Sequence, residues 1–347
     1  MKIDELIIAE DKTVLDAMRQ LDVTGRRILF LAPQGRLEGV VTDSDVRRYI
    51  LRGGKLEAPL REMANYSPKS LPVGERRRAR EYLIKNSIDA VPLLNKAGLI
   101  TDVVFVGDLD VDTHKQLELP VVIMAGGLGT RLYPYTKILP KPLIPIGERP
   151  IIEHIIDRFH AFGCGYYNLI VNYKKSMIKS YFSDLEKDYE VAFTDEDEPL
   201  GTGGGLSLLQ GGLDKTFFLT NCDVLIDADY ADIYKYHRAH QNLITMVCAF
   251  KNITIPYGVI ELGQDGEIAA MTEKPQYNVL TNTGMYVVEP QVVEELERGK
   301  KQNFTDIIDH YRQNGSRVGV YPVSENSWMD MGQLEELENM RRRLENS

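Results

Sequence analysis

The segment that most constrains this chain is Val121-Val122-Ile123-Met124 running directly into Ala125-Gly126-Gly127-Leu128-Gly129-Thr130-Arg131-Leu132. A short apolar run that ends in glycines reads as a buried strand followed by a tight loop. Glycines let the backbone bend back on itself and bring N–H groups against an anion with no Cβ in the way. The string lacks the Gly-Lys-Ser/Thr ending of a P-loop and the third glycine of the dinucleotide fingerprint, so both of those readings fall. It continues as Pro134-Tyr135-Thr136-Lys137-Ile138-Leu139-Pro140-Lys141-Pro142-Leu143. Prolines on both sides of Lys141 forbid a regular helix and hold one ammonium group at a set distance from the loop.

Beyond this loop, short apolar strands alternate with helix-period segments to about residue 250, the pattern of a mostly parallel sheet covered on both faces. The clearest helix opens at Pro150 and sets Ile151, Ile152, Ile155, Ile156, Phe159 and Phe162 along one side before Gly163 ends it. At 347 residues the chain is long enough for two domains. A formal charge of −10 disfavours nucleic acid as a partner while leaving room for a small anion held by local cations. No apolar run is long enough to span a bilayer, and the N-terminus is charged from Asp4, which predicts a soluble cytoplasmic protein. Cys164, Cys222 and Cys248 offer neither a disulfide framework nor a CxxC motif. The six histidines show no metal-ligand spacing, and His237 and His240 read as surface or helix-packing residues.

The strand Thr216 to Thr220 delivers Asp223 at its carboxyl end, where ligands bind in open α/β sheets. Asp330, beside Gly332, is a second carboxylate from a distant part of the chain. Two such groups could bracket one Mg²⁺, which takes oxygen ligands and keeps phosphate and water as the rest. Leu200-Gly201-Thr202-Gly203-Gly204-Gly205 offers bare backbone at a helix start, with Thr202 as its cap.

Together, GGxGTRLxPxTxxxPKPLxPIG resembles the sugar-nucleotide pyrophosphorylases, a nucleotidyltransferase family. The resemblance implies that Ala125, Gly126, Gly127, Gly129 and Thr130 grip the triphosphate, with Arg131, Lys141 and Asp223 catalytic. It implies Mg²⁺ between Asp223 and Asp330, and a nucleobase and ribose against Gly201 and Thr202. Three further strings look like the family's sugar-phosphate pocket: Tyr257-Gly258-Val259-Ile260, Thr272-Glu273-Lys274-Pro275 and Asn282-Thr283-Gly284-Met285-Tyr286. They carry over Gly258, Glu273, Lys274, Asn282 and Gly284. The expected reaction joins a nucleoside triphosphate to a sugar 1-phosphate and releases pyrophosphate.

The first 115 residues contain two similar passes of helix, strand and strand, separated from the rest by the polar seam Asp108 to Lys115. The first pass holds Gly39-Val40-Val41-Thr42-Asp43-Ser44-Asp45 and resembles a CBS motif, so that residues 1–115 look like a CBS pair. That resemblance implies an adenine nucleotide at Thr42 and Asp45, although the same two residues also fit a helix cap. The second pass, Gly98 to Val104, carries no matching TxxD. CBS pairs often dimerise, so a homo-oligomer is expected.

The expected fold is therefore α/β: a Rossmann-like, mostly parallel nucleotidyltransferase domain over 119–347, preceded by a small α/β CBS pair. The two-domain layout resembles guanylyltransferases that make GDP-glucosamine for legionaminic acid. Mannose-1-phosphate guanylyltransferases, dTTP- or UTP-dependent enzymes acting on hexose 1-phosphates, and a non-catalytic adenine-nucleotide sensor are the alternatives.

Overall fold

A computed structural model describes residues 3–86, 88–106 and 117–345. The chain divides into two compact units, Met1–Thr113 and His114–Ser347, and the seam Asp108 to Lys115 lies outside the described residues.

The first unit contains two three-stranded sheets of identical topology. Ile7–Ile8 pairs parallel with Ile28–Leu31, which pairs antiparallel with Gly39–Thr42. Leu71–Pro72, Ala90–Leu94 and Ile100–Phe105 repeat that arrangement. One buried cluster draws Phe30 and Val40 from the first sheet and Ala90, Ile100 and Phe105 from the second, so the two passes share a core. Thr42 caps the helix Asp43–Leu51: its hydroxyl accepts the Asp45 N–H at 3.2 Å, and the Asp45 carboxylate accepts the Thr42 N–H at 2.9 Å.

The second unit is built on a seven-stranded sheet. In chain order its strands are β1 (Val121–Met124), β2 (Tyr166–Val171), β3 (Glu190–Asp195), β4 (Phe217–Asn221), β5 (Ile244–Thr254), β6 (Gln276–Val288) and β7 (Val318–Val323). Their spatial order is β3-β2-β1-β4-β6-β5-β7. Only β6 runs against the others, inserted between β4 and β5. Val121 and Ile123 point into one buried cluster and Val122 into another, as the two-residue period of a strand requires when both faces are covered.

The helix Ile151–His160 covers the first face with Ile151, Ile152, Ile155, Ile156 and Phe159, each fully buried side chain worth about 1.5–3 kcal/mol in removal from water. The helix Phe304–Gln313 covers the second face with Phe304, Ile307, Ile308 and Tyr311. His237 is fully buried, which removes the surface reading. Its Nδ1 pairs with the Thr245 hydroxyl at 2.8 Å and its Nε2 with Glu289 at 3.1 Å. The three cysteines are free and buried. No helix among the described residues is long and apolar enough to cross a membrane.

Candidate active site

β1 is flanked by β2 and β4, so the chain departs from it in both directions and leaves a crevice at the carboxyl ends. Register makes those ends level: Met124 lies opposite Ile170 on one side and Asn221 on the other. The glycine loop, Asn172 and Asp223 therefore leave the sheet as neighbours.

After β4 the chain forms a short strand, Val224–Ile226, paired antiparallel with Trp328–Asp330. This pairing sets Asp330 opposite Val224, and the Met331 N–H donates to the Asp223 carbonyl at 2.9 Å. Lys141, on the turn Lys141–Leu143, forms an ion pair with Asp223, and each side chain is only 12% exposed. One oxygen of Asp330, Oδ1, is buried with no hydrogen-bond partner among the described residues. Burial and the Asp223 charge push the Asp330 carboxyl up to about 6, against the pull of Lys141.

Two convergent carboxylates, one with an orphaned oxygen, fit a hard divalent cation such as Mg²⁺. Among the described residues no cluster of three or more acidic, histidine or cysteine ligands exists. The remaining coordination would fall to water and ligand oxygens, as is usual for Mg²⁺ in phosphate chemistry.

These groups border a pocket of about 290 Å³ whose lining includes Arg131, Thr202, Asp223, Asn282, Gly284 and Asp330. Those six, expected from the sequence, are brought together. Thr202 is not the helix cap: it lies within Gly201–Gly204, and its hydroxyl accepts the Phe304 N–H at 3.1 Å. Asn282 accepts the Gly284 N–H at 3.0 Å and donates to the Tyr286 hydroxyl at 2.7 Å. Gly284 has φ 86° and lies against Asn221, leaving no room for a side chain.

Ala125, Gly126, Gly127, Gly129 and Thr130 continue from β1 beside the pocket without lining it. Gly129 is left-handed at φ 63° and its carbonyl accepts the Thr136 hydroxyl at 2.7 Å. Gly258, Glu273 and Lys274 are not brought to the pocket. They lie on or beside an exposed two-stranded hairpin, Gly258–Leu262 with Ile268–Glu273, in which Gly258 faces Glu273.

Several residues in or behind the site escaped sequence reasoning. Asn221 and Trp328 line the pocket, and the Trp328 indole N–H is buried without a partner among the described residues. Glu196, directly after β3, is 5% exposed and wedged between two glycines: a Cβ on Gly126 would stand 2.6 Å from one of its oxygens, and a Cβ on Gly205 2.5 Å from the other. Its Oε1 has no partner among the described residues, and burial raises its pKa against the effect of a backbone hydrogen bond from Leu200.

Comparison with known proteins bears on the second unit. The sequence profile of the Nucleotidyl transferase family matches residues 120–347. A mannose-1-phosphate guanyltransferase of Candida albicans is 34% identical over 225 residues, which is 61% of this chain and 60% of that protein. The Saccharomyces cerevisiae mannose-1-phosphate guanyltransferase is 32% identical over 226 residues, 61% of each chain. The chain thus spans about 60% of the length of the curated relatives it matches. Among solved structures, HddC from Yersinia pseudotuberculosis superposes with a TM-score of 0.52 at 23% identity, covering 65% of this chain and 99% of that one. A UDP-glucose pyrophosphorylase from Acinetobacter baumanii gives 0.51 at 20% identity, over 65% and 93%. Both likenesses are of fold.

Proposed function

This chain belongs to the nucleotidyl transferase family, and on that premise we propose that it joins a nucleoside triphosphate to a sugar 1-phosphate, forming a nucleotide sugar and pyrophosphate. The observation that carries the reading is the orphaned Asp330 oxygen beside the Asp223–Lys141 pair at the sheet's switch point. Such a centre suits a cation and a polyphosphate.

Asp223 and Asp330 would hold Mg²⁺, which when bound draws negative charge off phosphate oxygens. The loop from Gly126 to Thr130 holds the triphosphate through backbone N–H groups. Arg131 and Lys141 offset the charge that gathers on the α-phosphoryl group, and Asn282 faces the sugar. The sugar-phosphate oxygen forms the new bond to the α-phosphorus as the bond to pyrophosphate breaks. Positioning and electrostatic stabilisation supply the rate.

GTP is the nucleotide we favour, on the two-unit layout, and we assign base selection to Glu196, whose Oε1 has no partner among the described residues. In its ionised form that carboxylate offers acceptors only. Guanine presents adjacent N1–H and N2–H donors, whereas uracil and thymine present one N–H between two carbonyls that a carboxylate repels. For the sugar, the two-unit layout favours glucosamine 1-phosphate. The names of the curated relatives favour mannose 1-phosphate as the second reading. We further read residues 1–115 as a CBS pair carrying a homo-oligomer contact and an adenine-nucleotide site at Thr42 and Asp45, in the cytoplasm.

The test is to supply GTP, dTTP and UTP with each of a panel of sugar 1-phosphates and to measure pyrophosphate. GTP with glucosamine 1-phosphate is the expected pair. Preference for mannose 1-phosphate replaces the sugar, preference for dTTP or UTP overturns the base, and no release with any pair overturns the reaction.

A further inference from the structure

The loop that leaves β2 carries three consecutive residues, Asn172, Tyr173 and Lys174, none of which lines the pocket. Each is bonded to a loop that bears a site residue. The Asn172 amide donates to the carbonyl of Glu196 at 2.9 Å. The Tyr173 N–H donates to the Gly126 carbonyl at 3.4 Å, and the Tyr173 hydroxyl to the Thr136 carbonyl at 3.0 Å. The Lys174 ammonium donates to the carbonyls of Lys137 and Ile138, both at 2.7 Å.

Thr136, Lys137 and Ile138 end the four-residue helix Tyr135–Ile138, whose last carbonyls have no partner within so short a helix. Two adjacent side chains from another loop take all three. That helix joins the turn Thr130–Leu132, bearing Arg131, to the turn Lys141–Leu143, bearing Lys141. Lys174 has a fixed origin, since it stands at the N-terminus of the helix Lys175–Asp184 with φ 51°.

We infer that Asn172-Tyr173-Lys174 is a positioning element for the transfer reaction: from outside the pocket it sets the distance between the cations Arg131 and Lys141, the glycine loop and the Glu196 loop. This rests on the transferase reading above. The ammonium of Lys174 is engaged by protein carbonyls, so its effect passes through Lys141 and Arg131 and not through contact with substrate.

Lys174→Met keeps an unbranched side chain one atom shorter and removes its donors, Lys174→Arg keeps a charged group able to donate to both carbonyls, and Tyr173→Phe removes one hydroxyl. All are made in the full chain. Trp328, the sole tryptophan, lines the pocket, so its fluorescence serves as the readout for added GTP. Lys174→Met is expected to weaken GTP binding roughly tenfold and to lower kcat roughly 10- to 100-fold, the scale on which misplaced groups act. KM for the sugar 1-phosphate stays within about twofold, and Lys174→Arg recovers most of the loss. If Lys174→Met does not fold, Tyr173→Phe carries the test, with an expected several-fold loss in kcat.

Parental kcat and GTP affinity in Lys174→Met, or in Tyr173→Phe where it stands in, overturns the inference. Equal impairment in Lys174→Met and Lys174→Arg does so too. A parent chain that binds GTP but transfers no nucleotide to any sugar 1-phosphate would sink the transferase reading and leave the fluorescence test of positioning intact.

Discussion

The N–H of Met331 donates to the carbonyl of Asp223 at 2.9 Å, and this backbone bond extends the two-stranded ribbon of Trp328–Asp330 with Val224–Ile226 up to the residue that follows β4 and Cys222. Asp330 is thereby fixed beside Asp223. Burial first, and then the repulsion between two carboxylates held this way, push the Asp330 carboxyl up to about 6 from 3.8.

Asp330→Asn should stabilise the metal-free protein while abolishing most turnover. The folded state holds the Asp330 proton more tightly than the unfolded chain does. The favourable contribution is therefore present below about pH 4 and is lost as pH rises through about 6. Melting in EDTA should show the variant gaining on the parent between about pH 4 and pH 6 and holding its lead above that. A difference that stays flat over that range would contradict the assignment.

Mg²⁺ affinity should rise with pH through about 6, because the cation needs the ionised form of Asp330. Titration calorimetry at pH 5.5 in buffers of different ionisation heat should detect proton release on binding. At pH 8 that release should vanish.

Lys141→Ala leaves Asp223 and Asp330 without their ammonium partner. Turnover should fall roughly 10²–10³-fold, the scale seen when one positioned charge-stabilising group is removed. The variant should also melt earlier than the parent without metal and regain more of that loss on adding Mg²⁺. Melting curves with and without the cation check the second point independently of activity.

A Cβ placed on Gly127 meets nothing within 4 Å, unlike one on Gly126. Gly127→Ala should therefore keep the parental melting temperature. It should nevertheless lose roughly tenfold or more in GTP affinity, because the methyl occupies the space a phosphate oxygen needs against bare backbone. Unchanged affinity would mean that the triphosphate lies elsewhere.

Glu196→Gln exchanges an acceptor-only group for one that also donates. The ratio of kcat/KM for GTP to that for UTP should drop by roughly 10²-fold, since a site built for particular donors discriminates strongly. Steady-state rates with both triphosphates decide it, and an unchanged ratio removes Glu196 from base selection.

What the sequence made legible was whatever leaves a local mark. Val121–Met124 ending in glycines marks a strand and its loop, and an aspartate after Phe217–Asn221 marks a sheet end. Strand direction leaves no such mark: the apolar pattern of β6 is the same whether it runs with its neighbours or against them, so its reversal was not foreseen. Glu196 stands in the run Asp195-Glu196-Asp197-Glu198, which reads as solvated. Yet Asp195 reaches outward to Lys175 and Lys179 while Glu196 turns in, because adjacent residues of an extended chain point to opposite sides. The bonds from Tyr173 and Lys174 go to main-chain carbonyls, which no residue type announces. Gly258, Glu273 and Lys274 were grouped by resemblance with Asn282 and Gly284, but only the latter two line the pocket.

β6 is a single strand of 13 residues that begins beside the exposed hairpin at Gln276, passes Asn282 and Gly284 at the pocket, and ends among core residues at Val288. Its register with β5 slips once, between Val247 and Cys248, level with the pocket. The outlying arm and the cavity wall are thus parts of one mechanical member, anchored at its far end. Asn282 and Gly284 stand on that member between the arm at Tyr277 and the packed stretch from Met285 onward, at the one place where its ladder with β5 is interrupted.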